Sequence, residues 1–179
     1  MRQGPRIKNI LPQGRQWLWA LACALLLLPL AAMAVGADVH WEVGDFIFAA
    51  LLILAPLGFY EILAQRIAFT YLRRAYIIIM AATVLMLWAQ GAVGIIGDGS
   101  SAPNRLYLLI GASNTLGFIG SWRDPRYLIV ALIVSATLTI LGLYWARDAA
   151  PVVLVFHLIL LLTWLGGAYF IRKSCAPSA

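Results

Sequence analysis

Charged side chains are scarce in this sequence. They make up 11% of its 179 residues, whereas a soluble domain usually carries about 25%. Hydrophobic residues account for 63% of the chain, and its mean hydropathy is +0.90. A soluble protein of this size could not bury that much apolar surface, but lipid can solvate it. The composition therefore excludes a soluble globular domain and predicts an all-α, polytopic transmembrane helical bundle.

Motifs that carry chemistry are also missing. The two cysteines, Cys23 and Cys175, fall at different depths in any spanning arrangement, so no disulfide is expected between them. The sequence has no zinc-finger spacing, no phosphate-binding glycine loop, no nucleophile elbow and no His-Glu-x-x-His. We therefore expect no metal and no cofactor, and nothing supports an enzyme. A haem held by His40 and His157 is a weak alternative, because His40 lies in a loop.

Apolar runs and the breaks between them divide the chain into four parts. Residues 1–16 form a basic segment, 17–35 form span 1 or a signal sequence, 41–173 form a core bundle of five spans, and 174–179 form a tail. The six predicted spans are Trp17–Val35, Trp41–Ala64, Ala75–Gly97, Arg105–Trp122, Tyr127–Ala146 and Pro151–Ile171.

Span 1 has a second interpretation. Ala32, Met33 and Ala34 have the small-x-small form of a signal cleavage site after a basic start. Pro29 could either kink a span or end the apolar region of a signal. The span is favoured because the run is near spanning length. Cleavage would leave five spans.

The basic residues predict the orientation of the chain. The net charge of +6 does not indicate nucleic acid, because the basic residues lie between spans and not on one soluble face. Of the 13 Lys and Arg residues, Arg105 and Arg147 fall on one side of the predicted membrane and eleven on the other. The eleven are Arg2, Arg6, Lys8, Arg15, Arg66, Arg73, Arg74, Arg123, Arg126, Arg172 and Lys173. Both termini are therefore predicted to be cytoplasmic.

The turn between spans 3 and 4 is the most distinctive stretch. Gly97, Asp98 and Gly99 break the apolar run, and Asn104 stands at an N-cap position before Arg105. The chain is therefore predicted to turn back into the membrane at once.

Small residues recur at helical spacing on three spans, and such rows let helix backbones approach closely in lipid. We predict that they are packing faces; a solute path lined by small residues is the alternative. The rows are Gly91, Gly94 and Gly97 on span 3, Ser113, Gly117 and Ser121 on span 4, and Ala131, Ser135 and Thr139 on span 5.

Glu61 lies about one helical turn from the cytoplasmic end of span 2. Charges within a membrane usually pair. We expect a cytoplasmic ion pair of Glu61 with Arg66, Arg73 or Arg74 that holds spans 2 and 3 together, with a proton relay as the alternative role.

Asp45 and His157 are the other ionisable residues within spans. At 1.5 Å per residue they lie about 6 and 9 Å from the outer ends of spans 2 and 6, so they could meet as a functional polar pair. Such a pair could change protonation near neutral pH. The alternative is that His157 bonds a neighbouring helix while Asp45 reaches the headgroups. Gln90 and Asn114 are predicted to form interhelical hydrogen bonds.

Several short motifs of the core carry a resemblance to known proteins. They are Trp41 with Asp45-Phe46, Tyr60-Glu61, the run Gly91-Ala92-Val93-Gly94-Ile95-Ile96-Gly97, and Trp164-Leu165-Gly166-Gly167-Ala168. With them, Trp41 to Lys173 resembles a family of uncharacterised multi-pass proteins of the bacterial inner membrane. The resemblance implies that location and no chemistry. The family's outer turn is usually more acidic than Ser101-Ala102-Pro103-Asn104, and the stretch before Trp41 lies outside the resemblance.

Two functions remain at this stage. The first is a structural or accessory subunit of a membrane complex, with lipid and a membrane-protein partner or a second copy as its contacts. The alternative is a small transporter or permease subunit that uses Asp45, His157 or Glu61 for proton coupling. A transporter would need polar groups through the whole depth of the membrane, whereas the ionisable ones cluster at the two ends.

Overall fold

The computed structural model describes residues 13–66, 70–92, 94–96 and 102–175, and these residues are helical with short connections. The helices are α1 (Gln13–Ala34), α2 (Val43–Arg66), α3 (Thr70–Ala92), α4 (Arg105–Gly120), α5 (Arg126–Trp145) and α6 (Pro151–Cys175), with a 3-10 turn over Ala102–Asn104. Residues 1–12 of the predicted basic segment (1–16), residues 97–101 of the turn and residues 176–179 of the predicted tail (174–179) lie outside the described residues. The chain divides into two compact units, Met1–Gly58 and Phe59–Ala179.

The first unit contains α1 and most of α2. Helix α1 continues through Pro29 and ends before Gly36, whose φ of 77° is the left-handed conformation that glycine adopts easily. Helix α2 begins with two local contacts. The Asp45 carboxylate accepts a hydrogen bond from the Glu42 backbone N–H at 2.8 Å, and the rings of Trp41 and Phe46 meet edge to face at 5.2 Å. These are half of a capping box and a hydrophobic staple.

The second unit consists of the end of α2 and a ring of four helices, α3 to α6. Helix α4 contacts α3 and α5, and α6 contacts the same two helices from the opposite side. Tyr76 near the start of α3 meets Phe118 near the end of α4, so these two helices are antiparallel. The largest fully buried side chains of the unit include Trp164, Tyr76, Tyr107, Ile79, Met86 and Leu132.

Five of the predicted spans are matched by helices long and apolar enough to cross a membrane. These stretches are Gln16–Ala34, Val43–Ile62, Leu72–Ala92, Arg126–Trp145 and Pro151–Cys175. Helix α4 has 16 residues and is shorter than each of these five stretches. The described residues therefore give five candidate spans where the sequence predicted six.

The glycine row predicted on span 3 is wrong, because α3 begins at Thr70 and ends at Ala92. Gly94 lies beyond the helix with a φ of 71°, and Gly97 lies outside the described residues. Left-handed backbone after a helix is a common way to end it. This glycine therefore terminates a helix instead of packing one.

The rows on α4 and α5 do form a contact face. A Cβ built on Gly117 would lie 2.4 Å from the Cβ of Ala131, so the two helices touch where their smallest residues meet. The Ser113 hydroxyl donates to the Ala131 carbonyl at 3.3 Å. Small residues thus allow the close backbone approach that packing in lipid requires.

Candidate functional site: a polar core in the four-helix unit

The buried face of α5 carries the polar core. Ser135, Thr139 and Gly142 follow one another at helical spacing and are buried. Polar side chains in an apolar bundle are costly unless they are hydrogen-bonded. The partners of this row lie on α4 and α6, and Asn114 extends the hydrogen bonds to α3.

Asn114 is the centre of the first group of hydrogen bonds. Its side-chain oxygen accepts from the Ser135 hydroxyl at 2.8 Å, and its amide nitrogen donates to the Thr83 hydroxyl at 3.0 Å. Thr83 in turn donates to the Ile79 carbonyl of its own helix at 2.8 Å. One buried amide therefore links α3, α4 and α5, as predicted for Asn114.

Thr139 links α5 to α6. Its hydroxyl donates to the Ser135 carbonyl one turn earlier at 2.7 Å and accepts from the indole N–H of Trp164 at 3.1 Å. A threonine hydroxyl donates once and can accept, so both capacities are used. The buried indole thereby finds the partner that it needs in an apolar surrounding.

Tyr107 and His157 form the third group, across the ring from α4 to α6. The Tyr107 hydroxyl lies 2.6 Å from Nε2 of His157, and Nδ1 of the same ring lies 2.7 Å from the Val153 carbonyl oxygen. A carbonyl only accepts, so Nδ1 carries the proton. In the neutral ring Nε2 is then the acceptor and Tyr107 the donor.

Gly142 makes room for this pair. A Cβ built on it would lie 3.1 Å from Nε2 of His157 and 3.2 Å from the Tyr107 hydroxyl. Helix α5 stands between α4 and α6 in the ring. Because Gly142 has no side chain, the Tyr107 hydroxyl of α4 and the His157 ring of α6 can meet against the surface of α5.

Asn104 corrects one sequence-based prediction. It occupies the N-cap position of α4, but its side chain makes no capping hydrogen bond. Its Oδ1 instead accepts from the backbone N–H groups of Ile95 and Ile96 at 3.2 and 3.0 Å, and its Nδ2 donates to the Ile96 carbonyl at 2.7 Å. Asn104 therefore fastens the segment after α3 to the start of α4.

Gln90 also differs from the prediction. Its Oε1 accepts from the Ile95 backbone N–H at 3.3 Å, so among the described residues Gln90 bonds the segment after its own helix and not another helix. Gln90 and Asn104 together satisfy backbone groups where the regular helix has ended.

The predicted functional pair is divided between the two units. Asp45 is exposed at the start of α2 in the first unit and accepts from Glu42. His157 is 1% exposed in the second unit, and both of its ring nitrogens have partners there. The pairing of Asp45 with His157 stays a prediction.

The predicted ion pair at the other end of the bundle also stays a prediction. Glu61 is half-buried, Arg73 is half-buried and Arg74 is exposed. The side chain of Arg66 lies outside the described part.

Sequence reasoning missed three members of the core: Tyr107, Thr83 and Trp164. Each had a weak signal, since a hydrogen-bonding side chain inside an apolar run needs a partner. The sequence does not show which helices are neighbours, and this determines the partners.

Comparisons with family models, curated proteins and solved structures find no match to this chain. The resemblance to a family of bacterial inner-membrane proteins therefore stays a prediction. Within the described residues, no group of three or more His, Cys, Asp or Glu side chains is placed to hold a metal ion.

Proposed function

We propose that this protein is a small structural or accessory subunit of a membrane complex. It lies in the bacterial inner membrane with six spans and both termini in the cytoplasm. The observation that carries the proposal is the pairing of polar groups in the four-helix unit. The side chains of Thr83, Asn114, Ser135, Thr139 and Trp164 bond one another or the backbone, which is what a packing role needs.

Helix α4 is the sixth span of this proposal. Its 16 residues extend about 24 Å, and the 3-10 turn before it adds about 6 Å. The sum of about 30 Å equals the usual thickness of the hydrocarbon. Leu108 and Leu116 are more than half exposed on this helix, as expected of a lipid-facing surface.

Helix α1 supplies the contact surface for a partner. Leu21, Leu25 and Leu28 are 57%, 49% and 65% exposed, and α1 precedes the stretch that resembles the bacterial family. A leading helix outside the resemblance is suited to docking on another subunit, because the four-helix unit has a buried core of its own.

Photocrosslinking in native membranes tests this role. Benzoyl-phenylalanine at Leu21 or Leu25 should give one protein adduct of constant mass. Leu162, which is 71% exposed on α6, is the matched lipid-facing control and should give lipid adducts. An adduct at twice 19.6 kDa would identify a second copy as the partner, whereas lipid adducts alone from α1 would contradict the proposal.

Intact-mass measurement settles the status of span 1. The proposal requires α1 in the mature protein. A mature chain that begins at Val35 would show a cleaved signal and would remove the proposed contact surface.

A proton-coupled transporter subunit is the second candidate, and the buried His157 favours it. Imidazole is the side chain that gains or loses a proton most easily near neutral pH, and Tyr107 already bonds it. In this candidate Asp45 or Glu61 would exchange protons with water at either end. Purified protein in liposomes should then carry a proton flux that His157→Gln abolishes, and a flux equal to that of empty liposomes would reject the candidate.

A double-mutant cycle tests the predicted pair of Asp45 and His157. His157 would have to exchange one of its two present partners to bind the carboxylate. A coupling of about 0.5 kcal/mol or more between Asp45→Asn and His157→Gln, different at pH 5.5 and pH 8, would support the pair. Additive effects at both pH values would contradict it.

A further inference from the structure

One end of the four-helix unit brings together the start of α3, the end of α4, the start of α5 and the end of α6; we call it the basic end. Tyr76 and Phe118 have ring centroids 6.0 Å apart, and a Cβ built on Gly120 would lie 2.8 Å from the Cβ of Tyr127. Phe59 stacks on Trp122 at 5.7 Å. These contacts place the turn between α4 and α5 beside the start of α3 and the part of α2 that belongs to this unit, from Phe59 onward.

The charge at the basic end is strongly of one sign. Among the side chains that the structure describes, two acids belong to it, Glu61 and Asp124. Six cations belong to it: Arg73, Arg74, Arg123, Arg126, Arg172 and Lys173. At the opposite end of the unit, the described charged side chains are Arg105, Arg147 and Asp148, and the last two lie 3.3 Å apart.

The cations of the α4–α5 turn point outward. The Arg126 side chain is 84% exposed, and its Nε lies 4.0 Å from Asp124. The same carboxylate accepts from the Arg126 backbone N–H at 2.8 Å, so it serves partly as a helix-start acceptor. Arg123, one residue before Asp124, is exposed as well.

Exposed aromatic rings mark the level of the membrane surface beside these cations. Trp122, Tyr127 and Tyr169 are 44%, 58% and 61% exposed. Tryptophan and tyrosine concentrate where hydrocarbon meets headgroups. Arg123, Arg126 and Arg172 lie within one turn of these rings along the chain and therefore at the depth of lipid phosphates.

We propose that the basic end binds the phosphate groups of anionic phospholipids. Guanidinium groups match phosphate oxygens in pairs, and anionic headgroups attract basic clusters at a membrane surface. Lipid is the occupant, not a free phosphate ion, because the cations come from three separate elements around the unit and adjoin aromatic rings at the hydrocarbon boundary. The inference goes beyond the proposed function, since it holds with or without a protein partner.

Native mass spectrometry of the full chain tests the inference. The purified protein is titrated with phosphatidylglycerol or phosphatidylcholine of the same acyl chains. We expect phosphatidylglycerol to bind about 10-fold more tightly, with most of that preference lost in about 1 M salt. Equal binding of the two lipids would overturn the proposal, as would full competition by inorganic phosphate, which would indicate a small-anion site.

Matched variants locate the binding. The double variant Arg123→Gln with Arg126→Gln should weaken phosphatidylglycerol about 10-fold, and Arg172→Gln with Lys173→Gln should act in the same direction. Arg105→Gln with Arg147→Gln removes the same charge from the opposite end and should change affinity less than about 2-fold. Equal losses at the two ends, with melting temperatures unchanged, would show a charge effect without a site and would overturn the proposal.

Discussion

The hydroxyl of Tyr107 lies 2.6 Å from Nε2 of His157, and this contact joins two helices that stand opposite each other in the ring. The other nitrogen of the imidazole is held by its own helix through Val153. The ring is therefore fixed in tautomer and in orientation. His157, an ionisable residue that the sequence singled out as a functional candidate, therefore also connects α4 and α6 through a hydrogen bond.

A double-mutant cycle on Tyr107→Phe and His157→Gln should measure the strength of the hydrogen bond between these two side chains. We expect a coupling of about 1 kcal/mol in the free energy of unfolding, because each single change leaves one buried partner unsatisfied. Thermal or denaturant unfolding in detergent measures it. Tyr144→Phe is the control, since Tyr144 is 63% exposed. Effects that add within about 0.3 kcal/mol would contradict the hydrogen bond.

Leucine at Ser135 should weaken the fold more than leucine at Ile133. Ser135 is fully buried and donates to Asn114 at 2.8 Å, so leucine would both overpack the site and leave the amide oxygen without its donor. We expect about 2 kcal/mol or more for Ser135→Leu. Ile133 is 52% exposed on the same helix, and Ile133→Leu should be nearly neutral. Equal melting temperatures would count against the buried face of α5.

Two helical glycines should respond to alanine in opposite directions. A Cβ on Gly117 would lie 2.4 Å from that of Ala131, whereas one on Gly166 meets nothing within 4 Å. Gly117→Ala should therefore force α4 and α5 apart and lower the melting temperature. Gly166→Ala should raise stability by about 0.5–1 kcal/mol through the better helix propensity of alanine. Destabilisation by Gly166→Ala of the same size as by Gly117→Ala would be inconsistent with this packing.

The presence of the helices, and the packing role of the rows of small residues on α4 and α5, could be predicted from the sequence. Apolar length and small-residue spacing are local signals, and they were sufficient for these features. The partners of Asn114, Thr139 and His157 could not be predicted, because they depend on which helices are neighbours. Asn104 shows the same limit. The sequence predicted a side chain that caps α4, whereas the side chain bonds the backbone of Ile95 and Ile96 after α3.

The Trp-x-x-x-Asp-Phe motif gains a physical explanation from the structure. The ring contact of Trp41 with Phe46 and the hydrogen bond from Glu42 to Asp45 start helix α2. The spacing that carries the resemblance is therefore the spacing of a helix start. It accounts for these residue types without any chemistry.

Reporter fusions test the orientation. Because eleven of the 13 Lys and Arg residues fall on one side of the predicted membrane, we expect fusions at Asp98 and Ala149 to read periplasmic and those at Thr70 and the tail cytoplasmic. The Ala149 fusion also reports on α4 (Arg105–Gly120): if α4 did not cross the membrane, position 149 would follow four spans instead of five and would read cytoplasmic. A cytoplasmic reading at Asp98 would end the six-span proposal.

Thiol labelling tests most directly whether the polar core packs the bundle or lines a water-filled path. Cys23 and Cys175, which are both exposed, are first replaced by serine. Ser135→Cys is then introduced into this cysteine-free protein, and Ala149→Cys, in the loop after α5, is the accessible control. A membrane-impermeant thiol reagent should label position 149 rapidly and leave position 135 unlabelled from either side, because Ser135 is fully buried against Asn114. Labelling of position 135 in folded protein would show water at the middle of the bundle and would contradict the structural role in favour of a transporter.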